Sequence, residues 1–173
     1  MSQFIIRPEQ SADATAITRV TEQAFKSAPR SNQAEQFIVL ALRRSNALSV
    51  SLVAEQQAQV VGHIAFSPVR ISDGSAHWYG LGPLSVLPEL QRRGIGRALI
   101  SSGIEKLHFL GAAGCVVLGE PDYYGRFGFK NRRECILDGV PQEYFLSLEF
   151  GQHCASGKVT YHEAFSAKSE QNT

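Results

Sequence analysis

The stretch that decides the fold is Leu84-Ser85-Val86-Leu87-Pro88-Glu89-Leu90-Gln91-Arg92-Arg93-Gly94-Ile95-Gly96-Arg97. Its first residues are apolar and complete a predicted strand over 77–86, which Pro88 prevents from continuing. From Gly94 onward, apolar residues recur at helical spacing as far as Leu110, and Gly111 is a suitable C-terminal stop. A strand that gives way directly to a long helix predicts a mixed α/β fold around one sheet.

The turn between this strand and this helix has the composition of a phosphate-binding loop. Gly94 and Gly96 allow the backbone to approach a ligand closely, and the first amides of a helix have no internal partner. Those amides together carry roughly half a positive charge, to which Arg92, Arg93 and Arg97 add full charges. The turn therefore predicts a cradle for a diphosphate group. The alternative is a helix start eased by glycine, with arginines that are simply solvated.

Two common phosphate-binding loops do not match this turn. A P-loop needs the pattern G-x-x-x-x-G-K-[ST], which the chain lacks. The dinucleotide fingerprint G-x-G-x-x-G needs a third glycine, and Leu99 stands at that position. A nucleotide- or dinucleotide-binding domain is therefore the weaker interpretation.

Periodicity and turn residues predict the elements on either side. Strands are predicted over 4–7, 48–55, 60–71, 77–86, 115–118, 134–137 and 144–150, with an extended piece at 158–162. Helices are predicted over 11–25 with Ser11 as N-cap, and over 33–44, 95–110 and 121–127. Gly80, Gly82 and Pro83 predict a bulge and a weakened ladder. The passage from 84 to 118 predicts a right-handed crossover between parallel strands.

Composition limits the class of protein. The chain has 173 residues, 43% of them hydrophobic, and a net charge of +1, which fits one globular domain and argues against a nucleic-acid-coating protein. Three widely spaced cysteines, no predicted signal peptide and no long apolar run predict a cytoplasmic protein without membrane attachment. The five histidines have no zinc-like spacing, so no metal site is expected.

Five stretches together resemble the GNAT superfamily of N-acetyltransferases. Gln91-Arg92-Arg93-Gly94-Ile95-Gly96 is similar to its Q/R-x-x-G-x-G/A turn, and Tyr123-Tyr124-Gly125-Arg126-Phe127-Gly128-Phe129 resembles its aromatic-x-x-x-Gly-Phe segment. Gly80-Leu81-Gly82-Pro83-Leu84 and Leu118-Gly119-Glu120-Pro121 are similar to the YhbS-like branch, as is Val159-Thr160-Tyr161-His162-Glu163-Ala164-Phe165. The resemblance extends over about residues 4 to 165.

The resemblance implies a particular architecture. It is a mixed, mostly antiparallel central sheet of about six to seven strands with helices on both faces. The fourth and fifth predicted strands, over 77–86 and 115–118, would be parallel and splayed apart. A single GNAT-like domain would cover 1–165, followed by a polar C-terminal tail over 166–173.

The implied activity is transfer of an acetyl group from acetyl-CoA to a primary amine by direct attack in a ternary complex. The acceptor would be a small molecule or a protein, with no metal and no nucleic acid involved, and the enzyme would be a monomer or homodimer. A non-catalytic module that senses acyl-CoA is the alternative.

The same resemblance implies roles for individual residues. Backbone groups of Leu84 and Val86 would bond the pantetheine arm, and an amide near Leu84 would face the thioester oxygen. Tyr124 would protonate the departing thiolate. The residues implied for coenzyme binding are Leu84, Ser85, Val86, Gln91, Arg92, Arg93, Gly94, Ile95, Gly96, Arg97, Tyr124 and Phe127, and those implied for catalysis are Tyr124, Leu84 and Glu120.

The general base and the acceptor site stay open. Glu120, His77, Tyr79 and the weaker candidate His63 are possible bases, although packing or solvation also accounts for each, and a chain of waters is an alternative. The asparagine that often follows the fifth strand in this family is absent. The acceptor pocket would come from about 25–35 and 138–160. Cys115 lies in an apolar strand and is expected to be a buried, inert thiol.

Overall fold

The computed structural model describes residues 3–168, which form ten strands and four α-helices within that range. The strands are β1 (Ile5–Pro8), β2 (Val50–Gln56), β3 (Gln59–Pro68), β4 (Arg70–Ile71), β5 (Trp78–Val86), β6 (Gly114–Leu118), β7 (Lys130–Asn131), β8 (Cys135–Ile136), β9 (Phe145–Glu149) and β10 (Gly157–Thr160). The helices are α1 (Ala14–Phe25), α2 (Glu35–Arg44), α3 (Ile95–Phe109) and α4 (Pro121–Gly125). Short 3₁₀ turns lie at Ser11–Asp13, Pro88–Leu90, Gln142–Tyr144 and Glu163–Ser166.

The main sheet has the predicted architecture. Its seven strands within residues 3–168 run in the order β1-β2-β3-β5-β6-β9-β7. Every neighbouring pair is antiparallel except β5 and β6, which are parallel. A smaller sheet, β4-β10-β8, lies beside it. The mostly antiparallel mixed sheet and the parallel central pair are confirmed.

The central pair separates part-way along its length. In the described chain, the β5–β6 ladder consists of Trp78↔Gly114, Tyr79↔Cys115 and Gly80↔Val116. Beyond Val116, β6 continues its pairing with β9 as far as Leu118. On the other side of β5, the register with β3 shifts between Ile64 and Phe66, opposite Gly82 and Pro83, so the predicted bulge is confirmed. The two strands are therefore splayed from Gly80 onward.

The helices cover the sheet from two sides. On β3, Phe66 packs onto Gly103 of α3 so closely that a Cβ at position 103 would collide with its ring. His63 lies on the opposite face of the same strand, and its partner Glu9 is bonded to Arg43 of α2. The core between these layers contains fully buried side chains from each, which include Ile17, Val20, Leu42, Ile64, Phe66, Leu99, Ile100 and Leu107. Burial of each large side chain contributes about 2 kcal/mol.

The structure explains three of the predicted boundaries that were wrong. The strand expected over 60–71 ends at Pro68, which has no N–H to donate, and β4 joins β10 instead. Ser11 is not an N-cap. The carboxylate of Asp13 instead accepts the Gln10 N–H at 2.7 Å, in a 3₁₀ turn before α1.

The second helix begins at Glu35 rather than at Gln33. Gln33 has a φ of +61°, and its N–H donates to the Ser31 hydroxyl at 2.8 Å. Asn32 accepts the Ala34 N–H at 3.1 Å. These side-chain hydrogen bonds to the backbone stabilise a turn where the first turn of the helix was predicted.

The predicted tail over 166–173 lies largely outside the described residues, but within them Ala167 is buried against Ala41 and Leu42. Between residues 3 and 168, the structure contains no helix with the length and apolar character that crossing a membrane requires.

Candidate active site

The glycine-containing turn opens α3 with unpaired amides. Gln91 holds the turn against β5, since its side-chain amide donates to the Val86 carbonyl at 3.1 Å. Arg92 has a φ of +62° and Gly94, the N-cap of α3, has a φ of +88°. Both values lie in the left-handed region, which strongly favours glycine. The Ala98 N–H donates to the Gly94 carbonyl at 3.0 Å. The amides of residues 95–97 precede it and so have no i−4 partner within the helix.

These amides open onto a cleft of about 670 Å³ between β5, the turn and α4. It is lined by Leu84, Val86, Gln91, Arg92, Gly94, Gly96, Arg97, Tyr123 and Arg126. One wall is apolar, and three arginines surround the other. None of these three arginines belongs to an ion pair within residues 3–168. The cleft therefore combines free amides with uncompensated positive charge, which suits a diphosphate.

Gly96 and Tyr123 face each other across this cleft. An ideal Cβ at position 96 would lie 3.0 Å from the Tyr123 hydroxyl oxygen and 3.9 Å from a methyl group of Val86. Burial raises the pKa of Tyr123, and the Arg126 guanidinium lies 5.3 Å from the centre of its ring. A branched side chain at position 96 would therefore fill the space beside the helix N-terminus.

Seven of the twelve residues predicted to bind the coenzyme line the cleft, and the other five lie around it. Ser85 is buried on the alternate side of β5, and Ile95 packs into the core 3.1 Å from an ideal Cβ at Gly62. Arg93 is exposed beside the cleft. Tyr124 and Phe127 are half-buried in the aromatic cluster behind it. The side chains that line the cleft come almost entirely from one contiguous segment.

The ring of Tyr124 lies against Gly119 rather than on the wall of the cleft. A Cβ at Gly119 would collide with this ring, which also meets Phe129 edge-on at 5.8 Å and Tyr123 at 5.0 Å. Burial raises the pKa of Tyr124 well above its usual value, so its hydroxyl stays protonated at neutral pH. Its neighbour Tyr123 is the tyrosine that lines the cleft, as a pocket-wall residue.

Sequence reasoning missed Arg126 as a residue of the cleft. It follows α4, whose single helical turn carries it to the side of Tyr123. A signal was present, because Arg126 lies inside the aromatic-x-x-x-Gly-Phe segment. Arg126 occupies an unspecified position of that pattern, which is defined by its aromatic residues and glycine.

The candidate bases occupy very different surroundings. Glu120 is exposed, and its carboxylate lies 3.8 Å from the guanidinium of Arg30, which stacks on the ring of Tyr144. His77 is exposed and Tyr79 is half-buried. These three residues are therefore at least partly accessible to solvent.

His63 is completely buried in a polar cluster with Glu9, Ser51 and Arg43. Its Nε2 lies 2.8 Å from the Ser51 hydroxyl, which donates to Glu9, and Arg43 donates to both carboxylate oxygens of Glu9 at 2.9 Å. Burial lowers the pKa of His63 despite the nearby carboxylate. Burial also acts to raise the pKa of Glu9, but hydrogen bonds from His63, Arg43 and Ser51 outweigh it and lower that pKa to about 2.

A second pocket of about 300 Å³ begins where the cleft ends along β5. It is lined by Phe25, Glu35, Ile38, Leu81, Gly82, Pro83, Leu118, Leu137, Tyr161 and Phe165. Pro83 of this pocket directly precedes Leu84 of the cleft, so the two share β5 at its splay. We call this second site the apolar pocket.

Comparison with known proteins identifies the family. The model of the acetyltransferase (GNAT) domain matches residues 47–131. An uncharacterised N-acetyltransferase of Escherichia coli (strain K12), YhbS, is 32% identical over 169 residues, which cover 94% of this chain and 98% of that protein. The chain belongs to the GNAT acetyltransferase family.

Solved GNAT structures have the same architecture along the whole chain. A GNAT family acetyltransferase from Brucella melitensis, in complex with acetyl-CoA, is 49% identical, with a TM-score of 0.84 over 95% of this chain and 99% of that chain. The E. coli YhbS structure, in complex with CoA, is 31% identical, with a TM-score of 0.87 over 96% of this chain and 93% of that chain. The GNAT resemblance predicted from the turn and the aromatic segment is thereby confirmed.

Proposed function

We propose that this GNAT acetyltransferase transfers the acetyl group of acetyl-CoA directly to a primary amine in a ternary complex. The observation that carries the proposal is the cleft at the splay of β5 and β6, where free helix amides and three arginines stand beside an unpaired strand edge. Two similar proteins were crystallised with acetyl-CoA or CoA, which supports the same ligand here. Free Cys115, Cys135 and Cys154 are consistent with a reducing cytoplasm.

The diphosphate and the pantetheine arm of the coenzyme each have a matching part of the cleft. The amides at residues 92–97 and the guanidiniums of Arg92, Arg97 and Arg126 would hold the diphosphate. The edge of β5 around Leu84 and Val86 would pair with the amides of the pantetheine arm, much as a further strand would. The remaining predicted contacts, including Ser85, Arg93 and Ile95, would then be made by backbone.

The chemistry needs an oxyanion donor and a proton for the leaving group. The amine nitrogen attacks the thioester carbon, the C–S bond breaks, and the thiolate takes a proton. A fixed amide near Leu84 would stabilise the negative charge on the carbonyl oxygen by roughly 3 kcal/mol. Tyr124 is protonated at neutral pH and so carries a proton for the thiolate, although burial raises its pKa and thereby weakens it as an acid.

The proton of the incoming ammonium would leave through solvent. His63 is not suited to remove it, because its ring is sequestered from both sites in the cluster with Glu9 and Ser51. Glu120 is exposed at the end of β6, at the start of α4, and can relay a proton through water. An exposed relay is sufficient, since the amine requires deprotonation but not a strong base.

Release of free thiol from acetyl-CoA across a panel of primary amines tests the proposal. Amine-dependent thiol release, with CoA bound in calorimetry, is the expected result. Tight CoA binding without release for any amine would contradict it and would favour the acyl-CoA sensor. Binding of NAD or ATP in preference to CoA would instead indicate a nucleotide-binding domain.

A further inference from the structure

The apolar pocket has a single charge in an otherwise hydrophobic lining. Of the ten described residues that line it, Glu35 is the one with a carboxyl side chain, and none is basic. Seven of the others have wholly apolar side chains, and the remaining two are Gly82 and Tyr161. A pocket with this lining favours a ligand that is apolar over most of its surface and positively charged at one point.

The carboxylate of Glu35 is held in position by its own segment. The Ser31 hydroxyl lies 2.7 and 2.8 Å from its two oxygens, and the same hydroxyl accepts the Gln33 N–H. No cation within residues 3–168 forms an ion pair with this carboxylate. Glu35 is therefore oriented but not neutralised, and its remaining lone pairs can accept hydrogen bonds from an ammonium group.

Tyr161 supplies a second polar group that lacks a partner. Its ring packs over Gly80 and lies 4.9 Å from the ring of Phe165, and its hydroxyl is buried with no hydrogen-bond partner in the described chain. Such a group usually has a partner in the functional state. A polar ligand atom in the apolar pocket would provide one.

The location of the apolar pocket matches that of an acceptor site. It meets the coenzyme cleft at Pro83 and Leu84, which are adjacent along β5, with Cα atoms about 3.8 Å apart. A thioester at Leu84 would face it directly. Its volume of about 300 Å³ is at the lower limit for small-molecule pockets, which suits one ring with a short side chain rather than a polypeptide.

We propose that the acceptor is a small, singly charged primary amine with an apolar, ring-sized body, bound through its ammonium group by Glu35. This inference rests on the proposed acetyl transfer and specifies its substrate class. Amines that also carry a carboxylate are disfavoured, because that carboxylate would be repelled by Glu35. The described lining of the apolar pocket contains no basic residue to pair with it. Polyamines are disfavoured, because their further charges would be buried without partners.

The test uses 2-phenylethylamine, phenylalanine, spermidine and a short peptide with an N-terminal phenylalanine. We expect kcat/KM for 2-phenylethylamine to exceed that for each of the others by at least about tenfold, which is the effect of one poorly matched charge. Equal or better turnover of phenylalanine, spermidine or the peptide would overturn the inference while leaving acetyl transfer intact.

A variant locates the binding group. Glu35→Gln should raise the KM for 2-phenylethylamine about tenfold to a hundredfold, with little change in kcat or in CoA affinity. Glu105→Gln, which removes an exposed carboxylate from α3, is the matched control and should change none of these values. An unchanged KM in a folded Glu35→Gln protein would remove Glu35 from the acceptor site.

A binding measurement separates this inference from the proposed function. Saturation-transfer NMR with 2-phenylethylamine, without coenzyme, should show binding that Glu35→Gln weakens and Glu105→Gln does not. Such binding without any thiol release would refute acetyl transfer but retain the amine site. Thiol release with other amines, without binding of 2-phenylethylamine, would retain acetyl transfer but refute the proposed amine site.

Discussion

The coenzyme cleft and the apolar pocket share β5 but are encoded in opposite ways. Seven of the nine residues that line the cleft lie between Leu84 and Arg97, so one short stretch of sequence specifies it. The ten residues that line the apolar pocket come from six separate stretches between Phe25 and Phe165. In the proposed function, the cleft would recognise its ligand largely with backbone and charge, whereas the pocket would rely on side-chain shape and one carboxylate. A motif can therefore identify the donor, while the acceptor emerges only after folding.

The largest effect is expected at the turn itself. Gly96→Val would place a branched side chain 3.0 Å from the Tyr123 hydroxyl and fill the cleft, and Gly94→Val would force a β-branched residue to a φ of +88°. Each should abolish CoA binding in calorimetry. The affinity for CoA should fall by at least about a thousandfold, because the diphosphate would lose its contacts with both the amides and the arginines. Binding of 2-phenylethylamine should survive in Gly96→Val.

Ser101→Val is the control for this comparison, since it adds the same side chain to an exposed position of α3. It should leave CoA affinity unchanged. Unchanged CoA affinity in a folded Gly96→Val protein would refute the cradle, and equal loss of amine binding would show that the two sites are not separable.

Tyr124→Phe tests the residue proposed to donate a proton to the thiolate. Removing its hydroxyl should lower kcat by about a hundredfold, because the thiolate then leaves without a positioned proton donor. CoA affinity should remain nearly constant, since the Tyr124 ring lies against Gly119 and not on the wall of the cleft. A turnover number equal to that of the parent protein would remove Tyr124 from the mechanism, and Tyr123→Phe is the matched comparison.

A smaller effect is expected from single charges of the cleft. Arg97→Gln and Arg126→Gln should each weaken CoA binding about tenfold, and the loss should shrink at high salt. Lys106→Gln removes the same charge from α3 about 14 Å further along the helix and should have no effect. Equal losses in all three variants would indicate a general electrostatic field rather than contacts within the cleft.

The smallest effect concerns stability, from a cluster outside both sites. Burial lowers the pKa of His63 in the folded protein, so its contribution is complete above about pH 6.5 and declines as the unfolded chain takes up a proton below it. Urea unfolding should therefore show a free energy of unfolding lower by up to about 2 kcal/mol at pH 5 than at pH 7. His63→Gln should flatten this dependence, whereas exposed His153→Gln should not.

Glu9 extends the same dependence to lower pH. Its pKa of about 2 lies below the usual carboxyl value, so its contribution is complete at neutral pH and is lost as the pH falls from about 4.5 towards 2. Glu9→Gln should remove that part of the acid sensitivity and leave CoA affinity at pH 7 unchanged. Retention of the full acid transition in Glu9→Gln would assign it to other carboxyl groups.

How much the sequence could predict depended on how local the interactions were. The bulge at Gly82 and Pro83 and the turn at Gly94 were predictable, because glycine and proline restrict the backbone wherever they stand. The end of β3 at Pro68 was missed, because β4 is recruited by β10, some 90 residues away. Local rules specify turns, but they do not specify which distant strand completes a sheet.

The site follows the same pattern. Arg126 was not predicted, and Glu35 was covered only by the range 25–35 expected for the acceptor pocket, since an exposed arginine and a glutamate at a helix start are ordinary surface residues in a sequence. Folding brings Arg126 beside Tyr123, and it brings Glu35 and Pro83 into the lining of one pocket. Their surroundings, and not their residue types, make them candidates.

The most direct test of the account is a crystal structure of this chain with CoA. We expect diphosphate oxygens at hydrogen-bond distance, about 3 Å, from the amides of residues 95–97, with the thiol beside Leu84 and facing the apolar pocket. A diphosphate bound elsewhere, or a thiol directed away from Pro83 and Tyr124, would contradict it.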